Sequence, residues 1–146
     1  MSKSNTTENE MLLHYFNNAT VPDVGDAVGL RGSTAAGSFY LSLHTGDPGE
    51  AGTQATSEIA YTGYARVAVA RSSAGFTVSG NTVTLTANAD FGKMTAGAGG
   101  TVTFFAVGKA SSGATVVMYK GAVTPTIAVA NGIIPRLEAA TNIVED

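Results

Sequence analysis

The run Ser38-Phe39-Tyr40-Leu41-Ser42-Leu43-His44, closed by Gly46-Asp47-Pro48-Gly49 and answered by Tyr64-Ala-Arg-Val-Ala-Val-Ala-Arg71, decides how the chain is read. Phe39, Leu41 and Leu43 alternate with Tyr40, Ser42 and His44, and a period of two puts one set on a single face of a strand. The turn stops that strand. Proline fixes its own φ and biases Asp47 away from helix, the Asp47 carboxylate accepts nearby backbone N–H groups, and either glycine takes positive φ. Asp47, Pro48 and Gly49 therefore read as a structural turn. In the second run Ala65, Val67 and Val69 alternate with Arg66, Ala68 and Ala70, so another strand follows.

Outward from there the same period recurs. Gly75–Val78 and Asn81–Thr86 flank a reversal at Ser79-Gly80-Asn81. Thr101–Gly108 is apolar on both sides around Phe104-Phe105-Ala106-Val107, which predicts a strand buried on two faces. Ala114–Gly121 predicts the next strand after a Ser111-Ser112-Gly113 turn. Pro125, Gly132 and Pro135 cut the remainder into short strands at Thr126–Val129, Ile133–Leu137 and Ile143-Val144. Short strands at intervals of roughly 8–15 residues, without repeated helical patterns between them, predict an all-β chain. The expected architecture is a single β-sandwich or jelly-roll-like domain, with the strand order left open.

The N-terminus reads differently. Thr7-Glu8-Asn9-Glu10 has the spacing of a capping box with Thr7 as N-cap, and Met11, Leu12, Tyr15, Phe16 and Ala19 share one side of the helix that follows. About ten residues are too few for a helix to stand alone in water, so this one needs a surface, on its own domain or on a neighbouring subunit. The chain divides accordingly into an N-terminal arm, residues 1–22, and a β domain, residues 23–146. At the start of that domain Ala27, Val28 and Leu30 are expected to make a short turn against the core.

A length of 146 residues suits one core. Only 13% of residues are charged, about half the usual share, so the surface is mostly hydroxyl, amide and small apolar groups that cost little to desolvate against another protein. The eight basic residues are spread singly and the formal charge is −3, so no stripe faces a phosphate backbone and no nucleic-acid partner is expected. Cysteine is absent, which removes disulfides, thiolate ligands and cysteine nucleophiles together. Met1–Glu10 shows no secretory pattern and no run approaches 18 apolar residues, so no membrane partner is expected either.

Catalytic readings are weak. His44, Asp47 and Glu50 are a conceivable ligand trio, but their spacing matches no zinc or calcium motif, and no metal or cofactor is expected. His44 beside Asp47, with Ser38 or Ser42 as nucleophile, has the residue types of a hydrolase. The Gly-x-Ser-x-Gly elbow is missing, however, and period two alone puts Ser42 on the face of His44. Asp23, Asp26, Asp47, Glu50 and Glu58 supply carboxylates for sugar hydrolysis without specifying a pair. The chain is therefore read as no enzyme. Its contact candidates are Met11, Leu12, Tyr15 and Phe16 on the helix, the Tyr61 and Tyr64 pair, which otherwise packs across its loop, and Arg66, whose forked guanidinium suits a subunit boundary.

Tyr40-Leu-Ser-Leu-His-Thr-Gly-Asp-Pro-Gly49, followed by Glu58-Ile-Ala-Tyr61-Thr-Gly-Tyr-Ala-Arg66-Val, resembles a family of small virion proteins of tailed bacteriophages. The resemblance continues through Phe104–Gly108, the Ser111-Ser112-Gly113 turn and Tyr119–Gly121, and covers about residues 11–137. Members resemble capsid decoration or cement proteins in some cases and tail or tail-fibre proteins in others, and no enzymatic activity comes with them. The sequence carries neither the coiled-coil nor the β-helical repeat of a fibre shaft. The resemblance thus implies a virion protein made in the host cytoplasm and bound to the outer capsid lattice. Its expected partners are the major capsid protein and its own copies, as a homotrimer or other symmetric oligomer. The alternative is a tail or tail-fibre-associated structural or host-contact module.

Overall fold

A computed structural model describes residues 2–145. In chain order the elements are α1 (Asn5–Asn17), β1 (Ser38–His44), β2 (Val67–Ala70), β3 (Phe76–Ser79), β4 (Thr82–Leu85), β5 (Ala89–Asp90), β6 (Gly100–Gly108), β7 (Val117–Val129), β8 (Arg136–Leu137) and β9 (Asn142–Val144). The chain is thus of the expected class: antiparallel β structure with one short N-terminal helix. It forms two compact units. Unit 1 comprises Met1–Ser38, Val69–Asn88 and Glu138–Asp146, and unit 2 comprises Phe39–Ala68 and Ala89–Leu137. The division drawn from the sequence at residues 22 and 23 falls inside unit 1.

In unit 1, β3, β4 and β9 form a sheet in that order. Phe76 pairs with Leu85 and Ser79 with Thr82, so the hairpin turns through Gly80-Asn81 alone. Two-residue hairpin loops demand positive φ, and Gly80 supplies it at +58°. Helix α1 lays Leu12 and Phe16, both fully buried, on this sheet, where the Phe16 and Phe76 rings meet edge to face at 5.0 Å. Such a pair adds to plain area burial because ring edges and faces carry opposite partial charge.

The helix begins earlier than its capping-box spacing predicts. Ser4, not Thr7, is the N-cap: its Oγ accepts the Thr7 N–H at 3.3 Å, and Thr7 lies inside the first turn. Two hydroxyl residues competed for one role, and the one three positions upstream gains an extra turn. At the other end Asn18 takes the left-handed conformation at φ +58° and its N–H returns to Leu13 O. Arg71 completes this end by donating to the carbonyls of His14 and Tyr15 and, at 2.6 Å, to Asn18 Oδ1. A cation there also meets the negative end of the helix dipole. Beyond α1, Val21 and Leu30 exchange both backbone hydrogen bonds at 2.9 Å and close the intervening loop. Val28 and Leu30 are 51% and 45% exposed, so the short turn against the core expected there is not made.

In unit 2 the sheet runs β1-β6-β7, with Val67-Ala68, the part of β2 that belongs to this unit, beside β1. Central β6 is buried on both faces from Phe105 to Gly108, as its two-sided apolar pattern requires. The strands expected at Ala114–Gly121 and Thr126–Val129 are one strand, β7. Its register with β6 slips between Val102↔Ile127 and Phe104↔Ala122, and Pro125 sits in the slip. A proline without an N–H is accommodated where the ladder is already broken, and on an edge strand. Of the strand expected at Ile133–Leu137 only Arg136-Leu137 pairs, with β5.

Candidate functional site

Strand β1 buries both of its faces. Ser42 and His44, on the side opposite Phe39, Leu41 and Leu43, are fully buried. What covers them is the chain segment that leaves β1 at His44 and returns at Glu58, where Thr45 N–H bonds to Ser57 O and Ile59 N–H to Leu43 O. That segment carries Gln54 and Thr56 onto the polar face.

The hydrogen bonds there close on one another. His44 Nδ1 lies 2.8 Å from Thr56 O, and a carbonyl only accepts, so Nδ1 holds the proton and Nε2 is the acceptor. Nε2 then receives the Ser42 hydroxyl at 2.9 Å, while Ser42 Oγ accepts from Gln54 Nε2 at 3.3 Å. Gln54 Nε2 also donates to Tyr40 O at 3.0 Å. Its Oε1 accepts from Thr115 Oγ1 at 2.7 Å and from Arg66 Nη1 at 3.4 Å. The amide packs against β6 at Gly108: a Cβ added there would come within 2.1 Å of Gln54 Cδ, so only glycine leaves room.

Arg66 is the centre of the next shell. Its Nε and Nη2 hold both oxygens of Glu58 at 2.7 and 2.8 Å, and Nη2 also reaches Gly113 O at 2.8 Å. Nη1 reaches Ala110 O at 3.0 Å as well as Gln54. These contacts account for all five guanidinium donors. The Arg66 side chain is 2% exposed, and its paired carboxylate holds its pKa above the ordinary arginine value. Tyr64 OH adds a third donor to Glu58 at 2.9 Å while accepting Leu43 N–H at 3.1 Å. Burial, foremost, pushes the Tyr64 phenol up, and burial draws the His44 imidazole down.

Chemically this cluster is a lock. Ser42 and His44 have the polarity of a nucleophile and its base, yet both are fully buried, and each polar atom is committed to a neighbour within unit 2. No buried side-chain nitrogen or oxygen lacks a partner among the described residues. No three His, Asp or Glu residues converge as metal ligands among the described residues either. His44 has both ring nitrogens occupied within the fold.

The remaining residues singled out by sequence fall in separate places. Asp47 Oδ1 accepts Gly49 N–H at 2.8 Å, and Gly49 has φ +72°. Pro48 is buried. The Asp47 carboxylate also meets Lys120 Nζ of β7 at 2.8 Å, and that ammonium, more than the turn N–H, holds its pKa below the usual range. Tyr61 and Tyr64 pack edge to face at 5.3 Å, Tyr64 stacks on Phe91, and Tyr61 OH donates to Gly92 O at 2.8 Å. Arg66, read as a boundary residue, instead directs its donors into its own unit.

The helix residues divide. Leu12 and Phe16 face inward, whereas Met11 and Tyr15 border an open groove of about 590 Å³ that also takes in Glu10, Asp23, Val24 and Leu30. The groove lies wholly in unit 1 and contains no lysine or arginine. Sequence reasoning missed Gln54, Thr115 and the groove's far wall. A lone glutamine in Gly52-Thr-Gln-Ala carries no periodic signal, and the exposure of Val24 and Leu30 depends on a loop closure that no pattern announces.

No curated protein matches the chain. Residues 2–144 match the family model described as Podophage GP4 fiber I protein gp80. With the match spanning nearly all of its length, the chain belongs to this podophage fibre family and is a phage virion protein.

Proposed function

We propose that the chain is a non-enzymatic structural subunit of the podophage tail fibre or of its attachment to the tail. The observation that carries this reading is the family match across residues 2–144 to proteins described as fibre proteins. It favours the tail over the capsid lattice, and the decoration role expected from sequence resemblance has no support from the family. The polar lock of unit 2 suits such a part. A virion component works by keeping its shape, and a guanidinium bonded to five acceptors holds a loop-rich segment without chemistry. The weakly charged surface costs little to cover with copies of itself or with other tail proteins.

Gold-labelled antibody against the chain, viewed on intact particles, tests the reading. Label at the tail, with a few to tens of copies per particle, is the expected result. Label spread over the head in hundreds of copies would return the chain to the capsid lattice.

A further inference from the structure

The groove of unit 1 and one projection of unit 2 have matching chemistry. The groove is walled by Met11, Tyr15, Val24 and Leu30 and carries Glu10 and Asp23. Tyr15, Val24 and Leu30 are 38%, 53% and 45% exposed, an unusual concentration of open apolar surface for a helix and the loop beside it. In unit 2 the chain turns at Gly132, and the next two residues, Ile133 and Ile134, are 43% and 52% exposed. Successive residues of a strand point to opposite sides, so two neighbouring isoleucines both open to solvent form a knob rather than a strand face. Lys93 stands beside it: Met94 N–H is bonded to Ile133 O at 2.9 Å, and Lys93 is exposed, with no ion-pair partner among the described residues.

We propose that the groove of one copy receives the Ile133-Ile134 knob of a second copy, with Lys93 set against Glu10 and Asp23. The inference rests on the reading of the chain as a component of an assembly. A volume of about 590 Å³ is of the size that encloses a small ligand, and two apolar side chains fit that scale. Charge complementarity fixes the orientation: the groove bears two carboxylates and no lysine or arginine, with His14 as its one imidazole, and the knob is flanked by a lysine. Because groove and knob are different surfaces, the contact is head to tail. It closes a ring or continues as a filament according to the rotation between copies. One such contact is weak between two free chains and gains persistence by repetition in an assembly.

The test uses two exposed-site variants of the full chain, Val24→Asp in the groove and Ile134→Asp in the knob, each first matched to the wild type by circular dichroism and melting temperature. In sedimentation velocity the wild type self-associates, and each variant alone does so at least about tenfold more weakly. Mixed together, the two form a 1:1 complex, since one retains the groove and the other the knob. A wild type that stays monomeric up to about 1 mM overturns the proposal. So does a mixture that associates no better than its components. Gold label at the tail without a 1:1 complex would sink this contact and leave the fibre assignment standing; label on the head with a 1:1 complex would do the reverse.

Discussion

Unit 2 and unit 1 solve the same problem with different chemistry. Unit 2 covers the second face of β1 with hydroxyl, imidazole, amide and guanidinium groups, and it leaves none of them unpaired. Unit 1 relies on Leu12, Phe16, Phe76, Val83 and Leu85, an apolar core in which a helix lies on a hairpin sheet. Met11, Tyr15, Val24 and Leu30 instead border the open groove. A polar lock specifies one arrangement and fails sharply when one member is lost, whereas an apolar core degrades with volume and tolerates adjustment. The first arrangement commits every buried polar group to a neighbour, and the second leaves an apolar groove open.

Arg66→Ala is the sharpest way to break that contrast. It strands Glu58 in a largely buried site and removes donors from Gln54, Ala110 and Gly113, so a loss of about 3–5 kcal/mol is expected in urea unfolding. Hydrogen exchange should rise first in residues 53–58 and 109–115. Leu12→Ala should cost about 2–5 kcal/mol through the cavity it leaves, with exchange rising instead in α1, β3 and β4. If both variants raise exchange equally throughout the chain, the two units are not separate in their support.

Acid tests the lock without mutation. His44 has a folded pKa below its unfolded value of about 6.5, so the unfolded chain takes up the proton first. Its contribution is complete above about pH 6.5 and is lost as pH falls from there through the folded pKa. Urea midpoints measured from pH 7 to pH 5 should therefore decline, and the decline should be shallower in His44→Gln. An identical slope in the two proteins would assign the acid sensitivity elsewhere. The smallest effect is expected at the helix cap, where Ser4→Ala should cost about 0.5–2 kcal/mol by thermal unfolding. Thr7→Ala should cost less, and the opposite order would restore Thr7 as the cap.

Much of the fold was legible because period two is a local signal. Phe39, Leu41 and Leu43, the Gly80-Asn81 turn and two-sided β6 all stand where alternation and turn chemistry put them. Pro125 misled, because a proline that ends a central strand can sit in the bulge of an edge strand. The lock was not legible. Ser42 and His44 looked like the wet face of a half-buried strand, since nothing in their own neighbourhood says that Gln54 and Thr56 fold back over them. Arg66 looked like a boundary residue for the same reason: its acceptors are at positions 54, 58, 110 and 113, and the last two are backbone carbonyls that leave no mark on residue identity. The quoted Glu58 to Arg66 motif was recognisable as a pattern before its physical content was, which is one carboxylate gripped by a phenol and a guanidinium.

Those two carbonyls have a further consequence. Arg66 grips the tip between β6 and β7 by its main chain at Ala110 and Gly113, and Ser111 and Ser112 between them are exposed and outside the grip. Side chains at those two positions can drift freely while the scaffold beneath keeps its geometry. Sequence novelty at this tip leaves the architecture untouched.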